Sequence, residues 1–158
     1  MPYERIEGTV LKALHGIRAL GLKVGLISNC ASEEVAAWPH SQLAPLFDVV
    51  DFSCETHHMK PEPEAYLLAC RRLEVSPTQA VFVGDGGSDE LAGAVRVGMV
   101  PVWSTWHLRR WPHWNRNSHP HECCFSEARS PPEIVEHVRE LLTIEPSAVG
   151  NEGHHGED

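Results

Sequence analysis

Val81-Phe82-Val83-Gly84-Asp85-Gly86-Gly87-Ser88-Asp89-Glu90 is the stretch that decides how this chain folds. An apolar run stops abruptly at a glycine and a carboxylate. Two more glycines follow, then two more acids at the mouth of a helical pattern. A strand that delivers Asp85 at its carboxyl end, with Asp89 one turn later, suits an open α/β sheet, whose ligands bind beyond the carboxyl ends of the strands. A hard cation such as Mg²⁺ is held there by a few carboxylates together with phosphate oxygens.

Working outward, short apolar runs alternate with helical spacing. Ile6, Val10, Leu11, Leu14, Ile17 and Leu20 predict an amphipathic helix over 4–20, stopped by Gly21. Residues 23–28 read as a buried strand, and Ser32 as the cap of a short helix that Pro39 ends. A second strand is expected over 47–52, a helix over 62–73, a third strand over 80–83, a helix over 88–97 and a fourth strand over 100–103. Strands alternating with helices imply a parallel sheet with helices on both faces. Residues 107–121 have no usable period and read as an irregular loop. Residues 123–125 read as a short last strand. Ser130-Pro131-Pro132-Glu133 opens a helix to about residue 142.

Composition narrows the function classes. The 158 residues are 42% apolar with a net charge of -9, which fits one globular domain and argues against a general nucleic-acid or membrane-surface binder. No apolar run approaches the roughly 18 residues of a membrane span, and the N-terminus has no secretory pattern. The five cysteines are odd in number and sit in or beside apolar runs, so free thiols in a reducing, cytoplasmic setting are expected.

Three polar segments then fall in order at strand or helix boundaries. Ser28-Asn29 follows the first strand, Lys60-Pro61 precedes the second long helix, and Asp85 and Asp89 flank the glycines after the third strand. A hydroxyl and backbone amides at a strand-to-helix turn hold phosphate oxygens. A lysine supplies compact positive charge. Carboxylates hold a divalent cation that offsets and orients the phosphate.

In this order and spacing the chain resembles the haloacid dehalogenase superfamily, in its phosphatase-like branch. The Leu26–Asn29 segment is similar to the family's second motif, Met59–Tyr66 to its third, and Val83–Met99 to its fourth. The resemblance covers about residues 8–104 and implies a Rossmann-like parallel sheet flanked by helices; residues 1–144 are expected to form the core, and the polar, Gly-containing composition of 145–158 predicts a disordered tail. It implies phosphate binding by Ser28, Asn29 and Lys60, with Lys60 also the catalytic stabilising lysine. It implies Mg²⁺ at Asp85 and Asp89, with Asp89 preferred to Glu90, and a small phosphorylated molecule as substrate.

One departure outweighs the matches. The family's phosphoaspartyl chemistry begins from an Asp-x-Asp motif on a central strand, and this sequence contains no Asp-x-Asp. In the family that strand lies between those corresponding here to 23–28 and 80–84. The family's first strand and its cap are therefore expected to be absent, and the two flanking strands must close on each other or leave an open edge, which a homodimer would cover. Two readings follow: a truncated form of a longer phosphohydrolase, inactive by itself, or a non-catalytic module that binds phosphate or a phosphorylated ligand.

The Trp- and His-rich stretch from Trp103 to Cys124 invites other readings. Base stacking is disfavoured by the acidic chain. His119, His121, Glu122, Cys123 and Cys124 are zinc-type residues, but their spacing matches no standard pair. A loop at the site's rim is the expectation.

Overall fold

The computed structural model describes residues 7–114 and 122–144. Residues 1–6, which include the start of the helix expected over 4–20, residues 115–121 with His119 and His121, and the tail from 145 lie outside the described residues.

Helix α1 (Gly8–Ala19) packs against the last helix, α6 (Pro131–Ile144), where Gly16 lies over Val135. Gly21, at φ 78°, turns the chain out of α1 and into strand β1 (Gly25–Ser28). Strand β2 (Val49–Phe52) lies parallel to β1, with Gly25 opposite Val49 and Ser28 opposite Phe52. Between them run α2 (Ser32–Val35) and two short 3-10 turns. Ser32 is the first residue of α2 rather than its cap. The chain enters from Ala31, whose N–H is taken by the Glu34 carboxylate at 2.7 Å. Trp38 packs edge-to-face on Phe47 and Phe52 and forms the core of this half with Val35.

After β2 come α3 (Ser53–Thr56) and α4 (Pro63–Leu73), the latter with proline in its first turn and Ala65, Tyr66, Ala69 and Cys70 on its buried side. Strand β3 (Val81–Gly84), α5 (Glu90–Arg96), β4 (Val100–Ser104) and β5 (Ser126–Ala128) complete the order. β3, β4 and β5 form a second parallel sheet. Its core gathers Tyr66, Phe82, Leu91, Ala94, Met99 and Trp103.

The sequence expectations hold for each long element, with two shifts. The last strand is 126–128 rather than 123–125. Residues 122–124 form a 3-10 turn, which lets Phe125 pack on the core while Ser126, Glu127 and Ala128 pair with Val102, Trp103 and Ser104. The helix expected from 88 starts at Glu90, because Ser88 and Asp89 adopt left-handed φ of 56° and 53°. The described strands form two parallel sheets, not one. β1 and β3 belong to different sheets, so the flanking strands do not pair with each other.

Candidate functional site

Three loops meet at the carboxyl ends of the strands. Ser28 closes β1, half-buried. Asn29, the next residue, crosses to the loop before α4. Its Oδ1 accepts the Lys60 N–H at 2.8 Å, and its Nδ2 donates to the Lys60 carbonyl at 2.9 Å. The backbone of Lys60 is thereby fixed to the end of β1, and the Lys60–Pro61 peptide is cis.

The Lys60 side chain runs inward. Its Nζ lies 5.7 Å from the centre of the Phe82 ring and 2.5 Å from Glu90 Oε2. Lys60 and Glu90 side chains are 15% and 6% exposed, so this is a sequestered ion pair rather than a surface one. Glu90 also accepts the Gly86 N–H on Oε1 at 3.2 Å. A side chain on Gly84 would collide with the Glu90 carboxylate and the Phe82 ring, which explains the glycine at the end of β3.

Asp85 follows. Its Oδ1 accepts the Gly87 N–H at 2.8 Å, its Oδ2 lies 3.2 Å from His107 Nε2, and its carbonyl accepts the Trp103 indole N–H at 3.0 Å. The His107 contact above all, assisted by the Gly87 N–H, holds the carboxyl well below the usual aspartate range despite partial desolvation. Asp85 is thus an ionised carboxylate in fixed orientation. Gly86, at φ 93°, makes the turn possible, and any side chain there would press within 2.7 Å of Glu122 Cγ.

The structure brings Asn29, Lys60 and Glu90 together and joins Asp85 to His107. It sets Asp89 apart from them: that side chain is 62% exposed and lies 3.4 Å from Arg96. Two participants were missed or underrated in the sequence. The sequence marks His107 only as part of an irregular loop, although it comes three residues after β4 ends, where ligands of such sheets bind. Glu90 was ranked behind Asp89. Its spacing to Leu91 and Ala94 puts it on the buried side of α5, a signal available from helical period alone. Among the described residues no three His, Cys, Asp or Glu side chains surround one point as a ready metal cage.

Comparison with known proteins bears on the family and the fold. Residues 2–98 match the family profile of the haloacid dehalogenase-like hydrolases. The chain is 37% identical over 104 residues to phosphoglycolate phosphatase of Salmonella typhimurium, covering 60% of this chain and 41% of that protein. It is 35% identical over 94 residues to glyceraldehyde 3-phosphate phosphatase of Methanopyrus kandleri, covering 59% of this chain and 40% of that protein. A crystal structure of a phosphatase from Thermococcus onnurineus superposes with a TM-score of 0.66 at 27% identity, over 87% of this chain and 58% of that one. The chain therefore spans about two-fifths of the length of these two curated relatives. No described helix is long and apolar enough to cross a membrane.

Proposed function

Because the chain belongs to the haloacid dehalogenase-like hydrolases, we propose that it carries the phosphate- and cation-holding side of a hydrolase for small phosphorylated molecules. The observation that supports this best is the meeting of three distant segments. Asn29 grips the Lys60 backbone, and the Lys60 ammonium reaches the turn that follows Asp85. Ser28, Asn29 and Lys60 line the phosphoryl group, Lys60 as the charge that stabilises it through the reaction.

Asp85 fits a Mg²⁺ ligand: a hard oxygen donor kept ionised and aimed by its neighbours. With few protein ligands, the rest of the shell belongs to water and phosphoryl oxygens, as Mg²⁺ prefers. Asp89 joins Asp85 if its side chain turns from Arg96. When bound, the cation neutralises phosphoryl charge and fixes its orientation. Asp85, through the cation, and Lys60 would then act on the same phosphoryl group.

The attacking carboxylate comes from outside the sequence given, in which no Asp-x-Asp occurs. Its strand would lie between β1 and β3, which do not pair with each other. There an aspartate oxygen would attack phosphorus as the P–O bond to the alcohol breaks, the second aspartate of that motif would protonate the leaving oxygen, and water activated by the same aspartate would then cleave the phosphoaspartate to release phosphate. Two assays test this. The chain alone should hydrolyse p-nitrophenyl phosphate negligibly in Mg²⁺, and Mg²⁺ should shift the amide resonances of residues 84–90. Strong turnover that disappears in Asp85→Ala would refute the external nucleophile. Unmoved amides would refute the cation assignment.

A further inference from the structure

Glu90 is charged, 4% exposed and used at both oxygens, yet the reaction outlined above gives it no role. Its Oε2 sits on the Lys60 ammonium at 2.5 Å, and its Oε1 sits on the Gly86 N–H at 3.2 Å. An ammonium and a glycine-turn amide are both donors that recognise a phosphoryl group. The carboxylate presents two oxygens to them as a phosphate would. Its own backbone is fixed, since the Glu90 carbonyl accepts the buried Tyr66 hydroxyl at 2.8 Å. The helix start therefore stays in place whether or not the carboxylate rests on Lys60.

We propose that Glu90 is an internal counter-anion, whose carboxylate occupies the phosphoryl position on Lys60 and the Gly86 amide, and that a phosphoryl ligand binds by displacing it. This rests on the phosphate-cradle reading of Lys60. The physical reason for such a device is the lysine itself. A sequestered ammonium with no partner is strongly unfavourable, so the cradle needs an anion whenever no ligand is present. The same contact sets an affinity threshold, because every incoming phosphate must compete with a tethered carboxylate.

The test is calorimetric titration of the 158-residue chain with inorganic phosphate in Mg²⁺-free buffer, for wild type, Glu90→Gln and Glu90→Gln with Lys60→Met. Glutamine keeps the size and the acceptor for Gly86 and removes the competing charge. Glu90→Gln should bind phosphate about tenfold more tightly, the scale of one charge-assisted hydrogen bond, and the added Lys60→Met should abolish the gain. A second readout uses wild type only: the Gly86 amide resonance should move with phosphate saturation as its acceptor is exchanged. Equal phosphate affinity in wild type and folded Glu90→Gln overturns the role of Glu90 and leaves the cradle standing. Phosphate binding that leaves the wild-type Gly86 amide unmoved overturns it too, whether or not the variant folds. No phosphate binding by either protein overturns the cradle and the counter-anion together.

Discussion

Asn29 holds both backbone polar groups of Lys60, accepting the N–H at 2.8 Å and donating to the carbonyl at 2.9 Å. Two residues far apart in sequence thus behave as one piece of backbone. The position of the Lys60 backbone is set by the end of β1 and not by its own loop alone. Replacing Asn29 with Leu removes both hydrogen bonds and leaves two half-buried backbone groups unpaired. A loss of about 2 kcal/mol is expected, read as a lower urea midpoint with unchanged slope. Phosphate affinity should fall as well. Asn29→Asp keeps the acceptor but not the donor and should recover about half of the stability.

His107 is the largest single influence on the Asp85 carboxyl, holding it low. His107→Ala should let the Asp85 pKa rise toward the ordinary aspartate value of about 4, measured by carboxyl-carbon NMR titration. His107→Gln, which keeps a donor near Oδ2, should give a smaller rise. An Asp85 titration identical in wild type and His107→Ala would exclude the contact.

Asp48 couples the start of β1 to α1. Its Oδ2 accepts the Val24 N–H and the Arg18 guanidinium, each at 2.8 Å. The backbone hydrogen bond first, then Arg18, places its folded pKa below the ordinary value. A depressed folded pKa means that the unfolded chain takes up the proton first. The stabilisation is therefore complete above the unfolded pKa of about 4 and is lost as pH falls through the lower folded value. Asp48→Asn keeps an acceptor for Val24 without this dependence. Urea midpoints measured from neutral pH down to about pH 3 should fall less steeply for the variant.

The strand and helix order was legible because it rests on local signals: apolar runs of strand length, glycine stops at Gly21 and Gly98, proline at helix entries. So were Lys60 and Asp85, each marked by a short motif at an element boundary. The partners of these residues were not. The helical period of 90–94 marks Glu90 as inward, but that Asp89 stands outside the helix depends on the left-handed turn at Ser88 and Asp89, which delays the helix start. Nothing in the composition of 86–89 dictates that for two non-glycine positions. The last strand was misplaced for a similar reason. Phe125 is apolar because it packs on Trp103's cluster from a turn, while the paired residues Ser126 and Glu127 are polar. Glu127 belongs there because its carboxylate accepts the Thr105 hydroxyl and Arg109 across the ladder, a relation invisible until the two strands are adjacent.

Gly93 gives a case in which two effects of opposite sign must be weighed. It lies inside α5, where alanine in place of glycine ordinarily stabilises a helix by up to about 1 kcal/mol. A Cβ at this position, however, would stand 2.5 Å from the Tyr66 hydroxyl oxygen and 3.0 Å from both Tyr66 Cζ and Pro61 Cβ. Tyr66 cannot retreat. It is fully buried, packs edge-to-face on Phe82 at 5.3 Å, and donates to the Glu90 carbonyl at 2.8 Å. Pro61 is equally constrained by its ring and by its attachment to the Asn29-bound Lys60. Overpacking of this kind costs about 1 to 3 kcal/mol and should outweigh the helical gain. Gly93→Ala is therefore expected to lower the urea midpoint, and Gly93→Ala combined with Tyr66→Phe, which removes the crowded hydroxyl, should lose less than the sum of the two single changes. A Gly93→Ala variant more stable than wild type would show that α5 does not press on Tyr66 as closely as this packing requires.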